Sequence, residues 1–236
     1  MNPKPASSSS PEAPIPFVDL KAQLALLRSD IDARIARVLD HGRYIMGPEV
    51  SELEQALAKR TNARHVIGCS SGTDALLIAL MAHGVGRGDA VFVPAFTFTA
   101  SAEVILLLGA TPVFVEVQPG NFNIDCGHLE QKISEVRKAG KLAPRAVMAV
   151  DLFGLPADYT RLREITEREG MLLLGDAAQS FGGSMHDMPV GNLADITATS
   201  FFPAKPLGCY GDGGAIFTND DDKAAIIRSI LAHGKG

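Results

Sequence analysis

Residues 65–94 read HVIGCSSGTDALLIALMAHGVGRGDAVFVP. His65–Gly68 is a short apolar run of the kind that forms a buried strand, Thr73–His83 is a helical stretch, and Ala90–Pro94 is a second strand-like run. Outward from this stretch the same alternation continues. Strands are expected at Pro112–Val115, Ala146–Val150, Met171–Gly175, Ile196–Phe201 and Gly214–Thr218, with helices at Thr97–Leu108, Leu129–Lys138, Asp158–Glu169 and Asp221–His233. Alternating strands and helices predict an α/β layer architecture: a mostly parallel mixed sheet of about seven strands sandwiched by helices. Its ligand site should lie at the strand ends.

Upstream, Leu20–Leu39 carries Leu24, Leu27, Ile31, Ile35 and Val38 at helical spacing. A loop, HGRYIMGPE, follows, and a second helix should run from about Glu49 to Lys59. Residues 1–14 are rich in Pro and Ser and lack the apolar core of a secretory signal, so they read as a disordered leader to a domain spanning 15–236.

Composition limits the function classes. The chain has 236 residues, 46% of them hydrophobic and 21% charged, as in ordinary globular proteins. A net charge of −5 argues against a general nucleic-acid binder. No run approaches the ~18 apolar residues of a membrane span. Cys69, Cys126 and Cys209 form no CxxC pair, and the six histidines show no ligand spacing, so neither a disulfide framework nor a metal site is expected. A reducing, cytoplasmic location is the simplest reading.

Three segments carry chemistry. In Cys69–Leu76 a strand ends, small residues turn the chain, and a helix begins near Thr73. The free N–H groups of that helix start, with a hydroxyl, could cradle a phosphate, and the same residues read equally as a plain N-cap. The spacing lacks the lysine of an NTPase loop. In Leu174–Ser180, Asp176 ends a hydrophobic strand. A carboxylate there could hold a pyridinium nitrogen protonated, or could cap the chain at Ala178 and Gln179. In Ser200–Gly208, Lys205 stands among apolar residues and two prolines. Such a lysine suits Schiff-base formation, although an exposed loop lysine fits the composition too. Ser200 could offer its hydroxyl to a phosphate, and Gly208, Gly211, Gly213 and Gly214 permit a close backbone approach to a ligand.

Taken together, a phosphate-type turn, then Asp176, then a lysine 29 positions later resembles the arrangement of fold-type-I enzymes of pyridoxal 5'-phosphate (PLP). The stretches SSGTDAL, PAFTFTASAEVILLLGATPVFVEV, GDAAQSFG and TSFFPAKPLGCYGDGGAIFTND are similar to the DegT/DnrJ family of nucleotide-sugar aminotransferases, and the resemblance runs from Ile15 to the C-terminus. IPFVDLKAQ, HGRYIMGPEV and SFFPAKPLGCYGDGGA resemble the branch acting on UDP-2-acetamido-2-deoxy-3-oxo-glucuronate. The resemblance implies a PLP-binding large domain and transfer of an amino group from L-glutamate to C3 of a UDP-linked keto-sugar, for surface polysaccharide (lipopolysaccharide) assembly. It also implies a homodimer with shared active sites.

Residue roles follow from the same resemblance. Lys205 is the catalytic Schiff-base lysine, and Asp176 pairs with the pyridine nitrogen. Gln179 lies near the 3-hydroxyl, while Gly72, Thr73 and Ser200 hold the phosphate. Phe98 stacks on the ring, with a core aromatic as the alternative. Gly42 and Tyr44 contact the nucleotide-sugar, Tyr44 alternatively being a packing anchor.

Four departures from the family pattern stand out. Ala204 replaces a serine that relatives can carry. Gly175 stands where an acidic residue is frequent. KISEVRKAGKLAPRA (132–146) reads as a surface insertion. Relatives also continue well past His233-Gly234 into a small C-terminal domain, which is expected to be absent here. That expectation keeps an alternative open, a truncated PLP-binding fragment or regulatory relative with little turnover. Another fold-type-I enzyme and a non-enzymatic binding module fit the motifs less well.

Overall fold

A computed structural model describes Ile15 and residues 17–235, so the expected leader, residues 1–14, lies outside the described residues. The chain divides into two compact units, one up to His41 and one from Gly42 onward. In the first, helix α1 (Leu20–His41) buries none of its residues.

The second unit is built on a seven-stranded sheet. Its strands are β1 (His65–Cys69), β2 (Asp89–Pro94), β3 (Thr111–Val115), β4 (Ala143–Val150), β5 (Leu172–Asp176), β8 (Ile196–Ser200) and β9 (Gly214–Thr218), in the order β1-β9-β8-β5-β4-β2-β3. A small antiparallel hairpin, β6 (Ser184–Met185) and β7 (Met188–Pro189), lies apart from it. The pairings β2–β3, β2–β4, β4–β5 and β5–β8 are parallel, whereas β9 runs antiparallel to both β1 and β8. Six strands therefore point the same way, and their C-terminal ends share one edge with the start of β9.

The helices are α2 (Pro48–Thr61), α3 (Gly72–Ala82), α4 (Ala100–Leu107), α5 (Cys126–Ala139), α6 (Tyr159–Glu169) and α7 (Asp221–Leu231). Period-2 alternation divides the strand side chains between two cores. Val91, Val93, Met148, Leu174 and Ile216 pack with Leu76, Leu80, Val104, Ile105 and Ile227 on one face. Phe92, Val147, Ala149 and Leu173 pack with Leu129, Ile133, Leu162 and Ile165 on the other. Helices thus cover both faces, the α/β sandwich expected from the sequence. Among the described residues, no helix is long and apolar enough to cross a membrane.

Some boundaries differ from expectation. The helix expected from Thr97 begins at Ala100. Residues 132–146 form the last turns of α5, a left-handed Gly140 that ends the helix, and the first residues of β4. Asp125, Asp158 and Asp220 cap α5, α6 and α7 by accepting bonds from His128, Arg161 and Lys223 amides at 2.9–3.0 Å.

Candidate active site

At the C-terminal edge of the sheet lies a cavity of about 380 Å³, within the ~300–1,000 Å³ usual for ligand pockets. It is lined by Gly72, Thr73, Phe98, Asp176, Gln179, Ser200 and Lys205, together with Ser71, Thr97, Val150, Ala178, Phe202, Asp212 and Gly213 among others. Residues from the ends of β1, β2, β4, β5 and β8 and from the start of β9 therefore converge at the position where open α/β sheets hold ligands. Of the nine residues singled out in the sequence, Gly42 and Tyr44 are not among this lining. Gly42 adopts φ +67° and Tyr44 is 65% exposed.

One wall is the start of α3. Ser71 caps the helix by accepting the Asp74 amide on its hydroxyl at 3.0 Å, and its carbonyl accepts the Ala75 amide at 3.0 Å. Among the described residues, no protein acceptor takes the N–H groups of Gly72 and Thr73. Both the cap and a vacant pair of donors therefore exist in the same turn. The turn is wedged against the sheet: a Cβ on Gly72 would sit 2.6 Å from Ser200 Cβ, and a Cβ on Gly214 would meet the Ser71 carbonyl. Only glycine at both positions lets the helix start reach the end of β8 and the start of β9.

Asp176 forms the floor. Its carboxylate accepts the Ala178 amide at 3.1 Å, and the following Ala177 amide bonds the Ala198 carbonyl of β8 at 2.8 Å. Burial pushes the Asp176 carboxyl above its ordinary value, while the Ala178 N–H and the nearby positive charge of Lys205 act the other way. Asp176 does bond Ala178, as the capping alternative supposed, but only a turn follows it, not a helix. Gln179, in that turn, accepts the Phe153 amide on Oε1 at 2.8 Å, leaving its NH2 end as the part that can donate.

Lys205 is half-buried on a loop held at several points. Phe201 donates to the Gly213 carbonyl, Cys209 to the Phe201 carbonyl and Lys205 itself to the Phe202 carbonyl, each at 2.8 Å. Its surroundings are not purely apolar, because Asp176 and Asp212 share the cavity. Of the glycines expected to approach a ligand, Gly213 lines the cavity. Gly208 instead packs on its own loop, where a Cβ would meet the Pro203 carbonyl. Ser200 accepts the Phe202 amide on Oγ at 3.2 Å. Phe98 precedes α4, whose first turn its carbonyl caps, and its ring is 70% exposed at the cavity rather than in the core. Thr97, Phe202 and Asp212 were not singled out from sequence, since nothing in their spacing marks them before the loops are folded. Among the described residues, no group of three or more His, Cys, Asp or Glu could hold a metal.

Known proteins share this fold. The chain is 50% identical over 221 residues to the UDP-2-acetamido-2-deoxy-3-oxo-D-glucuronate aminotransferase of Pseudomonas aeruginosa, covering 94% of this chain and 60% of that one. It is 42% identical over 220 residues to the pleiotropic regulatory protein of Geobacillus stearothermophilus, covering 93% of this chain and 57% of that one. The chain thus spans about 60% of the length of such relatives. A DegT DnrJ EryC1 StrS aminotransferase from Brucella abortus superposes with a TM-score of 0.92 at 52% identity, over 94% of this chain and 60% of the other. The PLP form of a sugar aminotransferase from Streptococcus pneumoniae does so with 0.76 at 30% identity, over 87% and 56%. The sequence profile of the DegT/DnrJ/EryC1/StrS aminotransferases matches residues 26–236, and the chain belongs to that family.

Proposed function

We propose that this chain binds PLP and forms the cofactor-holding part of an aminotransferase that moves an amino group from L-glutamate to a UDP-linked keto-sugar. The sugar is of the UDP-2-acetamido-2-deoxy-3-oxo-glucuronate type, and the product serves surface polysaccharide assembly. The observation that carries the reading is the convergence of a buried carboxylate, a lysine and an unpaired helix start on one cavity. Similarity to the Pseudomonas aeruginosa aminotransferase supports the choice of sugar.

The residues present fit such a cofactor. The N–H groups of Gly72 and Thr73 and the Ser200 hydroxyl are donors suited to a phosphate, and the close packing of Gly72 on Ser200 keeps them together. Asp176, buried and acceptor-only when ionised, suits a protonated ring nitrogen. The Gln179 NH2 suits the ring's 3-hydroxyl oxygen, and Phe98 offers a flat apolar face. When bound, the cofactor supplies an electron sink that lets an amino group leave one carbon skeleton and join another.

The chain's own residues do the rest. Lys205 Nζ would hold the cofactor covalently and, when free of it, would take and return the proton of the substrate carbon. Asp176 would favour the protonated ring nitrogen. Phe98 and Phe202 limit water at the cavity mouth. Gly42 and Tyr44 contact the nucleotide-sugar in a homodimer whose sites are shared between subunits. A second reading, cofactor binding with little turnover in a regulatory role, is supported by the similarity to the Geobacillus regulatory protein. L-Glutamate separates the two: it bleaches the visible band of the PLP-loaded chain if the aminotransferase reading holds and leaves it unchanged if the second one does. A chain that stays colourless with PLP refutes both.

A further inference from the structure

Behind the cavity, β4 runs out into Asp151, which is fully buried and has no part in the roles above. Its carboxylate accepts three hydrogen bonds: from Ser180 Oγ at 2.6 Å, Tyr159 Oη at 2.9 Å and the Ala157 amide at 3.0 Å. Its own amide donates to the Asp176 carbonyl at 3.1 Å, continuing the β4–β5 pairing in which Val150 stands opposite Asp176. One side chain therefore ties together the end of β4, the first residue of α6 and the turn that follows Asp176. That turn carries Ala178 and Gln179, both of which line the cavity.

Gly175 belongs to the same arrangement. A Cβ there would lie 2.8 Å from Tyr159 Oη, so the missing side chain is what lets the tyrosine reach across β5 to Asp151. This gives a physical reason for glycine at this position. Burial drives the Asp151 carboxyl up to about 6, opposed by its three donors, with the neighbouring Asp176 adding to the rise. Asp176 is the one charged group that faces it from β5, while the Tyr159 hydroxyl, raised far above its ordinary value, stays protonated as a donor.

We infer that Asp151 is a positioning residue for the cofactor ring: through Ser180 it locks the Ala177–Ser180 turn, so that Asp176 and Gln179 stand in fixed register against Lys205. The inference rests on the PLP reading for its consequence and on the hydrogen bonds for its geometry. A turn anchored this way holds its polar groups without reorganisation when the ligand arrives. A glutamine on an untied surface turn would have to be ordered at each binding event.

The test compares the full chain with Ser180→Ala, Asp151→Ala and Asp151→Asn by PLP titration and by amide hydrogen exchange of the apo form. Ser180→Ala removes one charge-assisted bond and should weaken PLP about tenfold, displace the visible band, and speed exchange at Ala178, Ser180 and Phe181 by a similar factor. Asp151→Ala should do more. Asp151→Asn can still accept from Tyr159 and Ala157 and can donate to Ser180, so it should return PLP affinity to within about threefold of the parent. Ser180→Ala with parental affinity, band and exchange overturns the inference, even if Asp151→Ala fails to fold. A colourless parent chain would sink the cofactor reading instead, and hydrogen exchange in the apo chain would still decide whether the turn is anchored.

Discussion

Gly72→Ala should damage both stability and the proposed phosphate cradle, and the structure sets the size of each effect. The added Cβ would lie 2.6 Å from Ser200 Cβ and 3.1 Å from its Cα, where carbon atoms prefer about 3.5–4.0 Å. Roughly an ångström of separation is needed. β8 cannot supply it, since it is paired to β5 on one side and to β9 on the other, with Ser200 itself opposite Gly214. The start of α3 must retreat instead. Overpacking of this kind costs about 1–3 kcal/mol, and at ~2–4 °C per kcal/mol for a domain of this size the apo chain should melt several degrees lower. The retreat also lengthens any bond from Gly72 or Thr73 N–H to a ligand gripped by Ser200. Loss of one or two such bonds to a charged group, at about 1.5–3 kcal/mol each, should weaken PLP by about tenfold or more. Thermal unfolding of the apo form and spectrophotometric PLP titration read the two effects separately. Gly120→Ala is the control, because its Cβ would meet nothing within 4 Å. Gly72→Ala with parental stability and parental PLP affinity would refute the reasoning.

Asp151 makes stability depend on pH with an unusual sign. Its folded-state value of about 6 lies above the ordinary 3.8, so the folded chain holds that proton more tightly than the unfolded one. The contribution is favourable below the unfolded value, declines as pH rises to about 6, and is constant beyond. Asp151→Asn cannot lose a proton, so its stability in urea relative to the parent should improve by about 2 kcal/mol between about pH 4 and about pH 7. A difference that does not change with pH contradicts this. Asp176→Asn should still take up PLP but slow bleaching by L-glutamate about a hundredfold or more in stopped-flow absorbance, and an unchanged rate would remove Asp176 from the chemistry. Phe98→Ala, at a ring 70% exposed, should leave the apo melting temperature essentially unchanged yet weaken PLP several-fold, the size of one aromatic stacking contact. Parental affinity would place the ring outside the site.

Strands such as β2, β5 and β9 were legible in the sequence because each is a largely apolar run buried on both faces, as in Val91–Val93 and Leu173–Leu174. Lys205, Asp176 and the Gly72-Thr73 turn were legible because each lies at or just beyond a strand end, where chain reversal and ligand access coincide. The start of α4 was misplaced because Thr97, Phe98 and Thr99 are compatible with a helix, and only the fold shows Phe98 held out at the cavity. The β6–β7 hairpin, with left-handed His186 and Asp187 at its turn, is too short to show a period. Asp151 was invisible for a different reason. Its partners Tyr159 and Ser180 come from α6 and from the turn after β5, so the cluster exists only once the sheet is ordered. Gly175, read as a mere departure from the family pattern, has its explanation in that same cluster.

The central claim, that Lys205 holds PLP, is tested most directly by reducing the PLP-loaded chain with borohydride and locating the adduct by peptide mass spectrometry. The account predicts a single pyridoxyl-phosphate adduct on the peptide containing Lys205, lost in Lys205→Ala. An adduct spread over other lysines, or one that survives Lys205→Ala, would contradict it.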